Sequence, residues 1–453
     1  GALGTYVISM ATSASDVLAV VLLQRECGCR KQDLLRVAPL FERLDDLNDA
    51  PRVLRQLFSV KWYHDHIAGF QEVMIGYSDS GKDAGRMAAA WALYDGQERV
   101  VAAGKEFDVA LTLFHGRGGT VGRGGGPAHI AMLSQPPGTV NGSIRVTVQG
   151  EVIETDFGEK ENCFHTLDLY TASVLEHTLK PPAHPRDEWR RVMDRMSEYS
   201  CAHYRKTVFE TPDFVGYFAQ ATPGAELGSL NIGSRPAKRK PSAGVTALRA
   251  IPWIFAWTQS RFHLPVWLGI STSFRRLIDE GELETLRDMY KSWPFFEVTI
   301  DLVEMVLAKA DPVVVAYYER ALVDPKLHDF GASLRGELQE SIDCILAVSE
   351  HIGLLAKPEK VEANEAVQVH KKLAHKLHKR SLYITPLNVC QVRYLIAARA
   401  LENEEDGDKL SMQKVKITLL EGYPFQDYNY KGAVNDVLKI TMKGIAAGMQ
   451  NTG

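Results

Sequence analysis

A chain of 453 residues, 45% hydrophobic and 24% charged, can bury a large core and has the composition of an ordinary soluble globular protein. A net charge of −4 gives no reason to expect nucleic acid or an acidic membrane surface as partner. Six cysteines in so long a chain are no disulfide framework, and a reducing, cytoplasmic compartment is the expectation.

Thr5–Met10 (TYVISM) already reads as a strand, with no initiator methionine or lead-in loop before it, so a trimmed domain or a piece of a larger protein is expected. No basic region or cleavage pattern marks a signal peptide. The early apolar run Val17–Leu23 is too short to span a bilayer and is flanked by Asp16 and Arg25. Up to Val148, short apolar strands alternate with longer amphipathic helices. The strands are read at Tyr6–Met10, Val37–Phe41, Val73–Tyr77 and Val109–Phe114, and the helices around Ala14–Gln24, Asp45–Phe58 and Lys82–Ala103. This alternation predicts an α/β fold of parallel strands and crossover helices, with its chemistry at the C-terminal strand ends. Beyond Val148 the chain turns mostly helical, with scaffold helices at Arg186–Lys206 and Glu282–Trp293 and a basic one at His370–Arg380. Asn403–Lys409 reads as an exposed loop, and Gly444–Gly453 as a small, glycine-rich tail suited to a cleft.

The strand ends carry polar groups: Ala11, Thr12 and Ser13, then Glu42, then the run Ser78 to Lys82, then His115. Glu42 and Asp79 at one barrel mouth would suit a hard cation such as Mg2+ or Mn2+, and the plainer reading is that each caps the next helix. Lys82 sits where a helix begins, an unfavourable place for a cation, so it is a candidate to balance the carboxylates or meet a phosphate. A solvated lysine is the plainer alternative.

After the fourth strand comes Gly116–Gly126 (GRGGTVGRGGG), in which Arg117 and Arg123 stand among seven glycines. Glycine lets backbone N–H groups approach an anion, and guanidinium grips phosphate or carboxylate through paired hydrogen bonds. The stretch lacks the lysine and hydroxyl of a phosphate-binding P-loop, and a single copy pinned to a strand is no RNA-binding repeat. A cradle for a phosphorylated or carboxylated small molecule is favoured. A second basic loop, Lys238–Gly244 (KRKPSAG, with Lys238, Arg239, Lys240 and Gly244), precedes Arg249. Two basic loops and a possible metal suit phosphoryl chemistry. His64 and His66 would point to different faces of a helix, Trp253 and Trp257 read as core, and the lone pair Cys27 and Cys29 lacks the four ligands of structural zinc.

Phe114–Pro127 (FHGRGGTVGRGGGP) and Val73–Arg86 (VMIGYSDSGKDAGR) resemble the two signature stretches of the phosphoenolpyruvate carboxylases. NIGSRPAKRKPSAG (231–244), Leu248–Gln259 (LRAIPWIFAWTQ) and the terminal QNTG agree, and the wording is most similar to the plant-type enzymes. The resemblance runs through essentially all of the chain. It implies a helix-rich partial TIM-type (β/α)8 barrel over residues 1–300 and a helical region over 301–453. The implied reaction is Mg2+-dependent carboxylation of phosphoenolpyruvate by bicarbonate to oxaloacetate and phosphate, by way of carboxyphosphate and an enolate.

Carried over motif by motif, the resemblance makes Glu42 and Asp79 the metal ligands and Lys82, His115, Arg117 and Arg249 catalytic. It makes Lys238–Gly244 a loop that closes over the site. Malate or aspartate would inhibit through Arg123, Lys309, Arg380 and Asn451, drawing the glycine loop from catalysis. Lys376 and Ala256 match inhibitor-sensitive, housekeeping forms. Ala243 stands where the family has the first of two glycines, which would stiffen the loop. The family's N-terminal half is absent, so unpaired strand edges, an N-terminal partner chain and a tetrameric assembly are expected. A non-catalytic subunit that binds organic acids within a larger complex is the competing expectation.

Overall fold

The computed structural model describes residues 4–116, 128–148, 153–154, 157–229, 245, 248–356, 365–402 and 430–449. Side chains are described for all of these except 78, 128–130, 229, 365–380, 382, 401–402 and 430–433. The chain forms two compact units: residues 1–205 with 272–302, and residues 206–271 with 303–453.

The first unit is built on five parallel strands in chain order, β1 (Thr5–Ile8), β2 (Arg36–Phe41), β3 (Phe70–Gly76), β4 (Ala110–Gly116) and β5 (Arg145–Val146). The helices are α1 (Ala14–Glu26), α2 (Leu44–Ser59), α3 (Lys61–Ile67), α4 (Ser78–Ala84), α5 (Arg86–Glu106), α6 (Ala128–Leu133), α7 (Lys160–Leu179) and α8 (Asp187–Arg205). The β-branched, apolar strands need cover, and α2 supplies it. Its Leu47, Ala50, Val53, Leu54, Leu57 and Phe58 recur at helical spacing and are buried with Phe41, Val73, Ile75 and Leu113. α1 buries only Val17 and Val21, and its Leu22 and Leu23 stay exposed with Tyr6 and Met10 around β1.

The sheet is strongly curved. In a flat sheet β1 and β5 would stand about 19 Å apart, four steps of strand spacing. Yet Arg145 of β5 donates to Thr5 of β1 at 3.4 Å and to Glu72 of β3 at 2.6 Å, while Thr5 also bonds Glu72. Side chains from alternate strands meeting in one layer is barrel geometry, and the five strands form a half-barrel. Arg145 also lies 4.3 Å over the ring of Phe114.

The strands expected from alternation are all present with small shifts of their ends. The helix expected over Lys82–Ala103 is instead two, because Gly85 takes φ +80° between α4 and α5. A Cβ there would lie 3.0 Å from the ring of Tyr204, so glycine is needed both for the backbone turn and for the close approach. Lys82 therefore lies in the last turn of α4, where a cation is favoured by the helix dipole; the expectation of an unfavourable helix start is corrected.

In the second unit the helices are α9 (Pro212–Ala221), α10 (Ala250–Gln259) and α11 (Leu264–Trp267). The segments α12 (Ile270–Asp279), α13 (Leu283–Ser292) and α14 (Pro294–Leu307) follow, α13 belonging to the first unit and α12 and α14 running across the division of the units. Then come α15 (Pro312–Leu322), α16 (His328–Ser349), α17 (Glu365–Glu402) and α18 (Tyr430–Gly448). Trp253, Trp257 and Trp267 are fully buried among Phe214, Tyr217 and Phe262, as the sequence predicts for the first two. The glycines of the C-terminal stretch serve helix packing: a Cβ on Gly448 would lie 2.5 Å from Ile384 Cδ1, and one on Gly444 2.9 Å from Leu387. Residues 403–429 and 450–453, with the expected loop and the end of the tail, lie outside the described residues.

Candidate active site

Parallel register places the candidate residues on one edge. Phe41 pairs with Ile75, Ile75 with His115, and Gly76 with Gly116. Glu42, the next residue after β2, is thus level with Gly76, and a Cβ on Gly76 would come within 3.0 Å of Glu42 Cα and still nearer its Cβ. A Cβ on Gly116 would meet Met74 Cε at 2.7 Å and the carbonyl of Ile75 at 3.1 Å. Two glycines therefore let three strand ends close up around Glu42 and His115.

His115 is fully buried, and its Nδ1 lies 2.7 Å from the hydroxyl of Tyr77, itself buried at the end of β3. A bond at one ring nitrogen fixes the ring plane and the tautomer, which decides what the other nitrogen can do. Sequence reasoning passed over Tyr77, because a tyrosine after a strand has no motif. Only the β3–β4 register discloses the pairing.

Asp79 lies in the first turn of α4 and Lys82 in its last, both partly buried. Asp79 thus occupies a position that also suits the helix dipole, so capping and metal binding are compatible. Among the described residues no group of three or more His, Cys, Asp and Glu is placed to hold a metal ion. Two partly buried carboxylates at neighbouring strand ends nevertheless fit Mg2+ or Mn2+, which keep several waters and take one or two protein carboxylates plus substrate oxygens. Cys27 and Cys29 are free and exposed. His64 bonds the carbonyl of Phe107 at 2.9 Å while His66 stacks on Trp62, so the two histidines do face apart.

The half-barrel edge thus collects Glu42, Asp79, Lys82 and His115. Arg249 belongs to the second unit, where it stands at the N-cap position of α10 without a side-chain capping bond; it is partly buried, and its Nε has no hydrogen-bond partner among the described residues. Lys309 is in the same unit, buried at 5% exposure. Arg380 lies on α17 without a described side chain, as does Lys376. Arg117, Arg123, Lys238, Arg239, Lys240, Ala243, Gly244 and Asn451 lie outside the described residues.

Comparison with known proteins gives one consistent answer. The family model for phosphoenolpyruvate carboxylase matches residues 1–453. The chain is 52% identical to a phosphoenolpyruvate carboxylase of Picea abies, over 99% of this chain and 46% of that one. It is 53% identical to the housekeeping isozyme of a Saccharum hybrid and to phosphoenolpyruvate carboxylase 1 of Arabidopsis thaliana, with the same coverage. The chain spans about half the length of the curated relatives it matches.

Proposed function

The chain belongs to the phosphoenolpyruvate carboxylase family, and we propose that it supplies the carboxylating half of such an enzyme. The reaction is attack of bicarbonate on the phosphorus of phosphoenolpyruvate, giving carboxyphosphate and an enolate; carboxyphosphate then breaks down to CO2 and phosphate, and the enolate adds CO2 to form oxaloacetate. The observation that carries this reading is the gathering of Glu42, Asp79, Lys82 and His115 at one edge of a parallel half-barrel, in a chain matched by the family from end to end.

Glu42 and Asp79 would hold Mg2+ or Mn2+, whose charge would offset that on the phosphoryl and enolate oxygens. Arg249, with an unpartnered Nε, and Arg117 would grip the substrate phosphate. His115, held by Tyr77, would stand beside them with Lys82, and the loop Lys238–Gly244 would exclude water on closing. The exposed apolar side chains around β1 support the need for an N-terminal half or partner chain, in a tetramer or mixed oligomer. Malate or aspartate would inhibit at Arg123, Lys309, Arg380 and Asn451. No helix among the described residues is long and apolar enough to cross a membrane.

A coupled assay for oxaloacetate, on the chain alone and with a relative's N-terminal half, tests the reading. Activity is expected in the mixture. No oxaloacetate in either case, with malate still bound, would favour the second reading, an organic-acid-binding subunit. Arg123→Gly is expected to relieve malate inhibition, and unchanged sensitivity would refute the effector assignment.

A further inference from the structure

Lys309 and the turn of α17 that follows Arg380 are tied to one side chain, Arg261. Its side chain is 2% exposed, and a guanidinium has five N–H donors in a rigid fork. Nε and Nη2 reach the carbonyl of Lys309 at 3.4 and 3.3 Å. Nη2 also donates to Ser381 Oγ at 2.8 Å, and Nη1 to Thr385 Oγ1 at 3.2 Å. Nη1 stands 3.2 Å from the Asp311 carboxylate, whose other oxygen caps α15 through the N–H groups of Val313 and Val314. The Asp311 N–H donates back to the Arg261 carbonyl at 3.0 Å. All of these residues belong to the second unit.

The backbone is held in an uncommon state to achieve this. Arg261 and His263 both take left-handed φ, +57° and +51°, separated by the buried Phe262. Non-glycine residues keep such angles only where surrounding bonds enforce them. Arg261 and Lys309 are buried, His263 is buried beside them, and Asp311 is the one carboxylate paired with Arg261 among the described residues.

We propose that Arg261 is the positioning residue of the acidic-effector site, holding the Lys309 backbone to the turn of α17 that begins at Ser381. It does not touch the effector, because its donors are engaged by protein oxygens. The proposal rests on the effector reading given above. It adds that dicarboxylate affinity depends on a cross-link outside the binding residues themselves.

The test is calorimetric titration of malate into the 453-residue chain and three variants. Ser381→Ala combined with Thr385→Val removes two links while keeping Arg261, Arg261→Lys keeps the charge but loses the fork, and Lys309→Ala removes the ligand group. Each positioning variant is expected to weaken malate about tenfold, the loss of one charge-assisted hydrogen bond's worth. If Lys309→Ala weakens malate and neither positioning variant does, the proposal is overturned while the effector reading stands. If Lys309→Ala changes nothing, the effector reading falls instead. Hydrogen exchange of the ligand-free chain gives an independent readout: the double variant is expected to speed exchange both around 306–313 and around 380–388. Acceleration confined to α17 would overturn the cross-link.

Discussion

The hydroxyl of Tyr77 and Nδ1 of His115 meet at 2.7 Å, both side chains buried, across the β3–β4 pair. Tyr77→Phe keeps the ring and the packing and removes the hydroxyl that makes this bond. Losing one partner of a buried hydrogen bond costs about 1–3 kcal/mol. The expected outcome is that much loss in urea unfolding, together with a change in the imidazole 15N shifts of His115 that reports a new tautomer balance. Unchanged 15N shifts would show that Tyr77 does not hold the ring.

Gly76 allows Glu42 its place, and Gly81 is the natural comparison. A Cβ on Gly76 would overlap Glu42, whereas a Cβ on Gly81 would meet nothing within 4 Å. Gly76→Ala is expected to cost about 1–3 kcal/mol through overpacking and to weaken Mn2+ binding measured by electron paramagnetic resonance. Gly81→Ala, in the middle of α4, should be neutral or stabilising by up to about 1 kcal/mol. Equal Mn2+ affinity in both variants would detach Glu42 from the metal.

The strand-end residues were legible because each follows a short buried run, and a parallel α/β sheet sends such residues to one edge. Glu42, Asp79 and His115 needed no long-range information to be singled out. The partner of His115 did, since Tyr77 and His115 are 38 positions apart and meet only through register. The break at Gly85 was hidden because the apolar spacing continues through it while the backbone does not. Curvature was less legible still. It rests on Thr5, Glu72 and Arg145, three polar residues that sequence reading would have sent to solvent. The proposed division of labour between Arg117 and Arg123 came from family resemblance alone, not from composition or spacing.

The layer formed by Thr5, Glu72 and Arg145 makes its own prediction. Glu72→Ala removes the carboxylate that joins β1, β3 and β5, and Arg145 is then left with its longer bond to Thr5 and the ring of Phe114 in that layer. Because the Arg145 side chain is 40% exposed, water screens part of the loss, and a cost of about 1–2 kcal/mol is expected. Denaturant unfolding measures it. A variant as stable as the parent would mean that the half-barrel holds its curvature without this layer.

His263 gives a pH dependence with a definite sign. Burial, reinforced by the charges of Lys309 and Arg261, pulls its pKa from 6.5 down to about 3. Above 6.5 the imidazole is neutral in both folded and unfolded chains and contributes no pH dependence. Below 6.5 the unfolded chain takes up the proton and the folded chain does not, so stability falls as pH drops from 6.5 toward 3. Between about pH 7.5 and about pH 5.5 the loss from this one group is about 1.4 kcal/mol. His263→Asn cannot titrate, so its stability should fall by that much less over the same interval, measured by urea unfolding at the two pH values. Parallel losses in parent and variant would mean that His263 takes up its proton in the folded chain, in spite of its burial beside two cations.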